Sequence, residues 1–62
     1  MSKLKEIRLA KGFTRKQLAE LSKVSEHTIN KYENGEIDIF KAAVGNMIAL
    51  ADALGVEVRE IV

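Results

Sequence analysis

The sequence predicts an all-α fold of five short helices, and three observations carry that reading. Apolar residues recur at three- and four-residue spacing in successive blocks. Gly12, Gly35 and Gly55 stand just past three of those blocks, where helices commonly stop. Thr14 and Ser25 open two blocks in the manner of helix N-caps.

The first helix is expected over residues 3–11, with Leu4, Ile7, Arg8 and Lys11 on one face and Gly12 as its end. Leu9 lies off that face and is expected to be partly exposed. The second helix opens at Thr14, and Gln17 three residues later completes a capping box. Phe13 before the cap and Leu18 inside the helix fit a hydrophobic staple. This helix should run from Arg15 to about Ser22 and bury Leu18 and Ala19, with Leu21 a further candidate.

Ser25 opens the third helix, and Val24 with Ile29 repeats the staple. Thr28 stands where a full capping box has an acid or amide, so this cap is the weaker one. The helix should run to Glu33, with Asn34-Gly35 marking its end. Only Lys23 and Val24 separate it from the helix before, which is the spacing of a helix-turn-helix. Ala19 is small enough to let the two helices cross closely. A turn of this kind favours glycine at a left-handed position, and here Ser22 or Lys23 must serve.

Residues 35–42 contain Ile37, Ile39 and Phe40, too apolar for a free loop, and are expected to fold back as a helical turn. A fourth helix is expected over 43–54, rich in Val44, Met47, Ile48, Leu50, Ala51 and Leu54 and ended by Gly55. Residues 57–62 can add a last short turn that buries Val58 and either Ile61 or Val62.

Composition narrows the function classes. At 62 residues the chain is expected to be a single domain, residues 1–62. It has no cysteine, hence no disulfide and no thiolate metal ligand. No apolar run approaches the roughly 18 residues of a membrane span, and the charged start does not resemble a signal peptide. A cytoplasmic protein without membrane contact is therefore expected. One histidine among scattered carboxylates makes no metal site of conventional spacing, and no phosphate loop or nucleophile elbow is present. Neither catalysis nor a cofactor is expected.

The net charge of +1 hides an asymmetry. Residues 1–35 carry eight Lys and Arg against four Glu, for +4, and residues 36–62 carry two against five acids, for −3. A basic half joined to an acidic half suggests one face meant for a polyanion. The alternative is two solvated surfaces of unlike charge.

The stretch K-G-F-T-R-K-Q-L-A-E-L-S-K-V-S-E-H-T-I-N-K-Y-E-N-G, followed by A-D-A-L-G-V, resembles the phage Cro/CI repressor-like helix-turn-helix domains. The resemblance spans Leu4 to Val58 and includes the apolar and small positions Leu18, Ala19, Val24, Ile29 and Tyr32. It implies a five-helix lambda-repressor-like bundle with its helix-turn-helix at about residues 15–33. It also implies a regulator of transcription, expected to be a repressor, that binds double-stranded DNA with the third helix in the major groove. Two departures stand out. Lys23 replaces the usual glycine, and D-I-F-K-A lengthens the connection to the fourth helix.

The resemblance places Ser25, Glu26, His27, Asn30 and Lys31 at the base edges. Their chemistry suits base readout, since Asn can pair with adenine, Lys can donate to guanine, and Glu can accept from cytosine. His27 can donate to a guanine acceptor from either ring nitrogen, according to tautomer. Arg15 is implied at the phosphate backbone, with Lys16 and Asn34 as further phosphate candidates. Arg8 and Glu33 are implied to pair beneath the surface, as structure rather than readout. A homodimer is implied, at least on DNA, on a near-palindromic operator with the recognition helices about one DNA turn (roughly 34 Å) apart. With no room for a separate dimerisation or sensing domain, the dimer contacts are expected from the loop or the last helices.

A protein-interaction module, or an antitoxin component using the same fold, is the competing reading. Ile37, Ile39, Phe40 and Val44 could form a docking patch for a protein partner, or they could complete the core.

Overall fold

The computed structural model describes residues 2–62, and the side chain of Phe40 lies outside the described part. Every regular element among the described residues is helical: α1 (Lys3–Ala10), α2 (Arg15–Ser22), α3 (Glu26–Glu33), α4 (Val44–Leu54) and α5 (Val58–Ile61). A 3-10 turn, Ile39–Lys41, lies between α3 and α4.

Side-chain caps set the starts of α1, α2 and α3. Ser2 Oγ accepts from the Lys5 amide at 3.0 Å and opens α1. At α2 the capping box closes from both sides: Thr14 Oγ1 accepts from the Gln17 amide at 3.0 Å, and Gln17 Oε1 accepts from the Thr14 amide at 2.9 Å. The C-terminal ends of α1 and α4 are released by left-handed glycines, Gly12 at φ +79° and Gly55 at φ +72°.

No helix here is long enough to be stable alone, so packing must hold the fold. Leu4 of α1, Leu18 of α2, Ile29 of α3, Leu50 of α4 and Ile61 of α5 are fully buried, one from each helix. Val24, Tyr32, Ala51 and Leu54 join them, and Phe13, Ala19 and Ile39 pack against the cluster half-buried. α2 packs on α3 and α4, α1 on α3 and α5, and α4 on α5. The expected five-helix bundle is therefore present, and its loop from 35 to 42 does turn back onto the core through Ile39 and Ala42. None of the helices is long and apolar enough to cross a membrane, among the described residues.

Three apolar side chains depart from the expected core. Leu21 is 56% exposed, because the inward stripe of α2 runs through Leu18, Ala19 and Ser22, with Ser22 buried four residues after Leu18. Val44 and Ile48 are 65% and 47% exposed: Ile48 lies off the inward stripe of Leu50, Ala51 and Leu54, whereas Val44, seven residues before Ala51 and so on its side of the helix, stands exposed at the first position of α4. Among the described side chains of the apolar stretch, Ile39 thus packs against the core, while Ile37 and Val44 are exposed. The expected burial of Phe40 falls outside the described residues.

Candidate nucleic-acid interface

The interface is built on the tight turn between α2 and α3. Lys23 takes the left-handed conformation there, at φ +64° and ψ +16°, and its amide donates to the Ala19 carbonyl at 2.9 Å. The choice left open by the sequence is settled on Lys23 rather than Ser22. Ser22 instead clasps the turn: its hydroxyl donates to the Leu18 carbonyl at 2.7 Å and accepts from the Val24 amide at 3.2 Å. That clasp holds without glycine a turn that costs a non-glycine residue on the order of 1 kcal/mol.

α3 leaves this turn with two unlike faces. Ile29, Tyr32 and Glu33 are buried. Glu26 and His27 are exposed, and Asn30 and Lys31 half-exposed, on the other face, one stripe at three- and four-residue spacing. The buried face is fixed at three points. Ile29 is fully buried. Tyr32 Oη accepts a hydrogen bond from Asn46 Nδ2 of α4 at 3.0 Å. Glu33 meets Arg8 of α1: Arg8 Nε donates to Oε2 at 2.7 Å and Nη2 to Oε1 at 3.1 Å. Arg8 Nη1 also donates to the Phe13 carbonyl at 2.8 Å, so one guanidinium ties α1, α3 and the approach to α2 together.

The stripe does not act alone. Arg15, at the start of α2, shares with Glu26, His27 and Asn30 an open cleft of about 350 Å³. Within it Arg15 Nη1 donates to Asn30 Oδ1 at 2.5 Å. Lys16 lines two other hollows, one with Arg15 and Glu26 and one with Lys23 and Ser25. Ser25 commits its hydroxyl to the α3 cap, accepting from the Thr28 amide at 3.1 Å and donating to Thr28 Oγ1 at 2.8 Å. Asn34 is engaged by Glu36: its Oδ1 accepts from the Glu36 amide at 3.0 Å, and its Nδ2 reaches Glu36 Oε1 at 3.4 Å. A carboxylate thus sits beside that phosphate candidate. Among the described residues no group of three or more His, Cys, Asp or Glu could hold a metal.

Two of these contacts had no reading in the sequence. Nothing in the pattern joins Arg15 to Asn30, fifteen residues apart. Asn46 was legible only as a polar residue inside an apolar helix, and a buried tyrosine hydroxyl usually finds such a partner.

A cap-fixed helix with a buried face and an exposed polar stripe, joined by a tight turn to a second helix that brings an arginine alongside, defines a helix-turn-helix unit. Residues 4–61 match the family model described as helix-turn-helix, and the chain belongs to that family. It is 40% identical over 52 residues to HTH-type transcriptional regulators of Rickettsia conorii and Rickettsia prowazekii, both uncharacterized. Those alignments take in 84% of this chain but only 39% and 38% of the relatives, so the chain spans about two fifths of their length. Among solved structures it is similar to the restriction-modification controller protein C.AhdI of Aeromonas hydrophila. The TM-score is 0.83 at 34% identity, covering 94% of this chain and 83% of that one.

Proposed function

We propose that the chain is a sequence-specific duplex-DNA-binding transcriptional regulator that sets the outward stripe of α3 into the major groove. The observation that carries this reading is the stripe itself. Glu26, His27, Asn30 and Lys31 need no polar partner within the core, and their helix is held rigid from behind by Ile29, Tyr32 and Glu33. Arg15 and Lys16 supply phosphate contacts from the start of α2, where a helix N-terminus already favours anions. Ser25 takes a supporting part, since its hydroxyl is committed to the cap. Asn34 is the weakest phosphate candidate, because Glu36 stands against it. The relatives named as transcriptional regulators and as a controller protein support the same function.

The regulator acts as a dimer on a near-palindromic operator and represses by occupying it. Size supports the dimer. The longest Cα extent of one copy is 25 Å, less than the roughly 34 Å of one DNA turn, so one copy reads one half-site. The second copy has an apolar surface to meet, since Val44 and Ile48 lie exposed one turn apart on α4.

The test is an NMR titration of the free protein with a short duplex, at low and then moderate salt. Amides at Arg15 and from Ser25 to Lys31 should shift first, and binding should weaken steeply as salt rises. No shift at low salt, or shifts confined to residues 37–44, would make a protein partner the better reading.

A further inference from the structure

The hydrogen bond between Arg15 and Asn30 joins a residue suited to phosphate with a residue suited to bases. A carboxamide has two orientations of nearly the same shape and opposite hydrogen-bond polarity. A guanidinium has donors and no acceptor, so it can bond only to the oxygen of the amide. Arg15 therefore holds Asn30 in one of its two orientations, with Oδ1 toward the guanidinium and Nδ2 turned away. Adenine presents an acceptor and a donor side by side in the major groove, and asparagine matches that pair in one orientation only. The carbonyl oxygen keeps a second lone pair for the base, and the guanidinium keeps further N–H groups for a phosphate. Neither residue has to release the other on binding.

We propose that Arg15 is a specificity-determining positioning residue, which fixes the amide polarity of Asn30 and so couples a backbone contact to the reading of one base pair. The proposal rests on the DNA-binding reading above. It distinguishes arginine from lysine at this position. Lysine keeps the charge but carries its donors on one compact, freely rotating ammonium without the planar fork, and does not fix an amide and a phosphate in one set geometry.

Preferred duplexes selected from a randomised library by the wild-type protein supply the probe. Affinities of wild type, Arg15→Lys, Asn30→Ala and the double variant are then measured on the preferred duplex and on its single-base-pair variants, across a salt series. Asn30→Ala should abolish the preference at one A·T pair per half-site, a loss of about tenfold in discrimination. Arg15→Lys should lose that same preference while keeping the wild-type salt slope, and the double variant should discriminate no worse than either single one. In the free protein, Arg15→Lys should also move the side-chain amide protons of Asn30 and leave the remaining spectrum in place. The proposal is overturned if Arg15→Lys keeps the wild-type preference at the pair that Asn30→Ala loses. It is equally overturned if Arg15→Lys weakens all sequences alike, or if the Asn30 amide signals do not move. A wild-type protein that enriches no sequence and binds no duplex would instead remove the DNA reading, and this coupling with it.

Discussion

Arg8→Met is the substitution with the largest effect that the structure allows to be worked out. The Arg8 and Glu33 side chains are 8% and 2% exposed. Arg8 makes the two hydrogen bonds to Glu33 and one to the Phe13 carbonyl described above. Methionine replaces most of the arginine stem, so little packing is lost. What remains is a buried carboxylate without its cation, at a cost of about 3–5 kcal/mol. At roughly 0.05–0.15 kcal/mol per residue, a 62-residue protein has about 3–9 kcal/mol in total. Arg8→Met should therefore remove most of the stability, and Glu33→Leu, which strands the guanidinium, should do much the same. The double variant removes both charges and should recover to within about 1 kcal/mol of wild type, the remainder being the donor lost to the Phe13 carbonyl. Urea melts followed by circular dichroism, compared at a common slope, give all three values. The sum of the single costs should exceed the double cost by roughly 3 kcal/mol or more. Additive costs, or a single cost below about 1 kcal/mol, would refute the pairing of a buried charge with a buried charge.

Thr14→Ala removes the α2 cap and should cost about 1 kcal/mol in the same urea melts, while leaving the slope unchanged. At the left-handed Lys23, a β-branched residue is strained whatever its surroundings, so Lys23→Val should destabilise by more than about 1 kcal/mol. Lys23→Gly, relieved of that strain but looser when unfolded, should be neutral or up to about 1 kcal/mol more stable, as thermal melts would register. Val44→Ser with Ile48→Ser should leave half-site affinity intact and lower the cooperativity of binding to a full operator. Unchanged cooperativity in a gel-shift titration would place the dimer contact elsewhere.

How much of this was legible in the sequence depended on the distance over which each feature is decided. The caps at Thr14 and Ser25 and the glycine end at Gly12 are decided within four residues, and each is where the local pattern put it. Which apolar residues turn inward is decided between helices, and there the pattern misled at Leu21, Val44 and Ile48. α4 carries only two polar side chains, Asn46 and Asp52, too few to mark an outer face, so periodicity alone could not orient it. At Leu21 the misleading feature was chemical: a serine holds the inward position because its hydroxyl is satisfied within the turn. The stripe of α3 was legible as a polar face, but the contact that organises it comes from α2 and leaves no trace in the spacing.

The division of labour within α3 has a consequence for how such a protein can change its target. Eight residues, among them β-branched Thr28 and Ile29, would not form a stable helix in isolation. The helix persists because of the Ser25 cap, the Ile29 side chain in the core, the Asn46–Tyr32 bond and the Arg8–Glu33 pair. None of those contacts uses Glu26, His27, Asn30 or Lys31. Substitutions at these four positions should then shift stability by no more than about 0.5 kcal/mol, the range of ordinary surface changes. On the proposed reading, target preference can change there without unfolding the protein, and a new base read from the place of Asn30 would call for a matching change at Arg15, one residue from each helix of the helix-turn-helix.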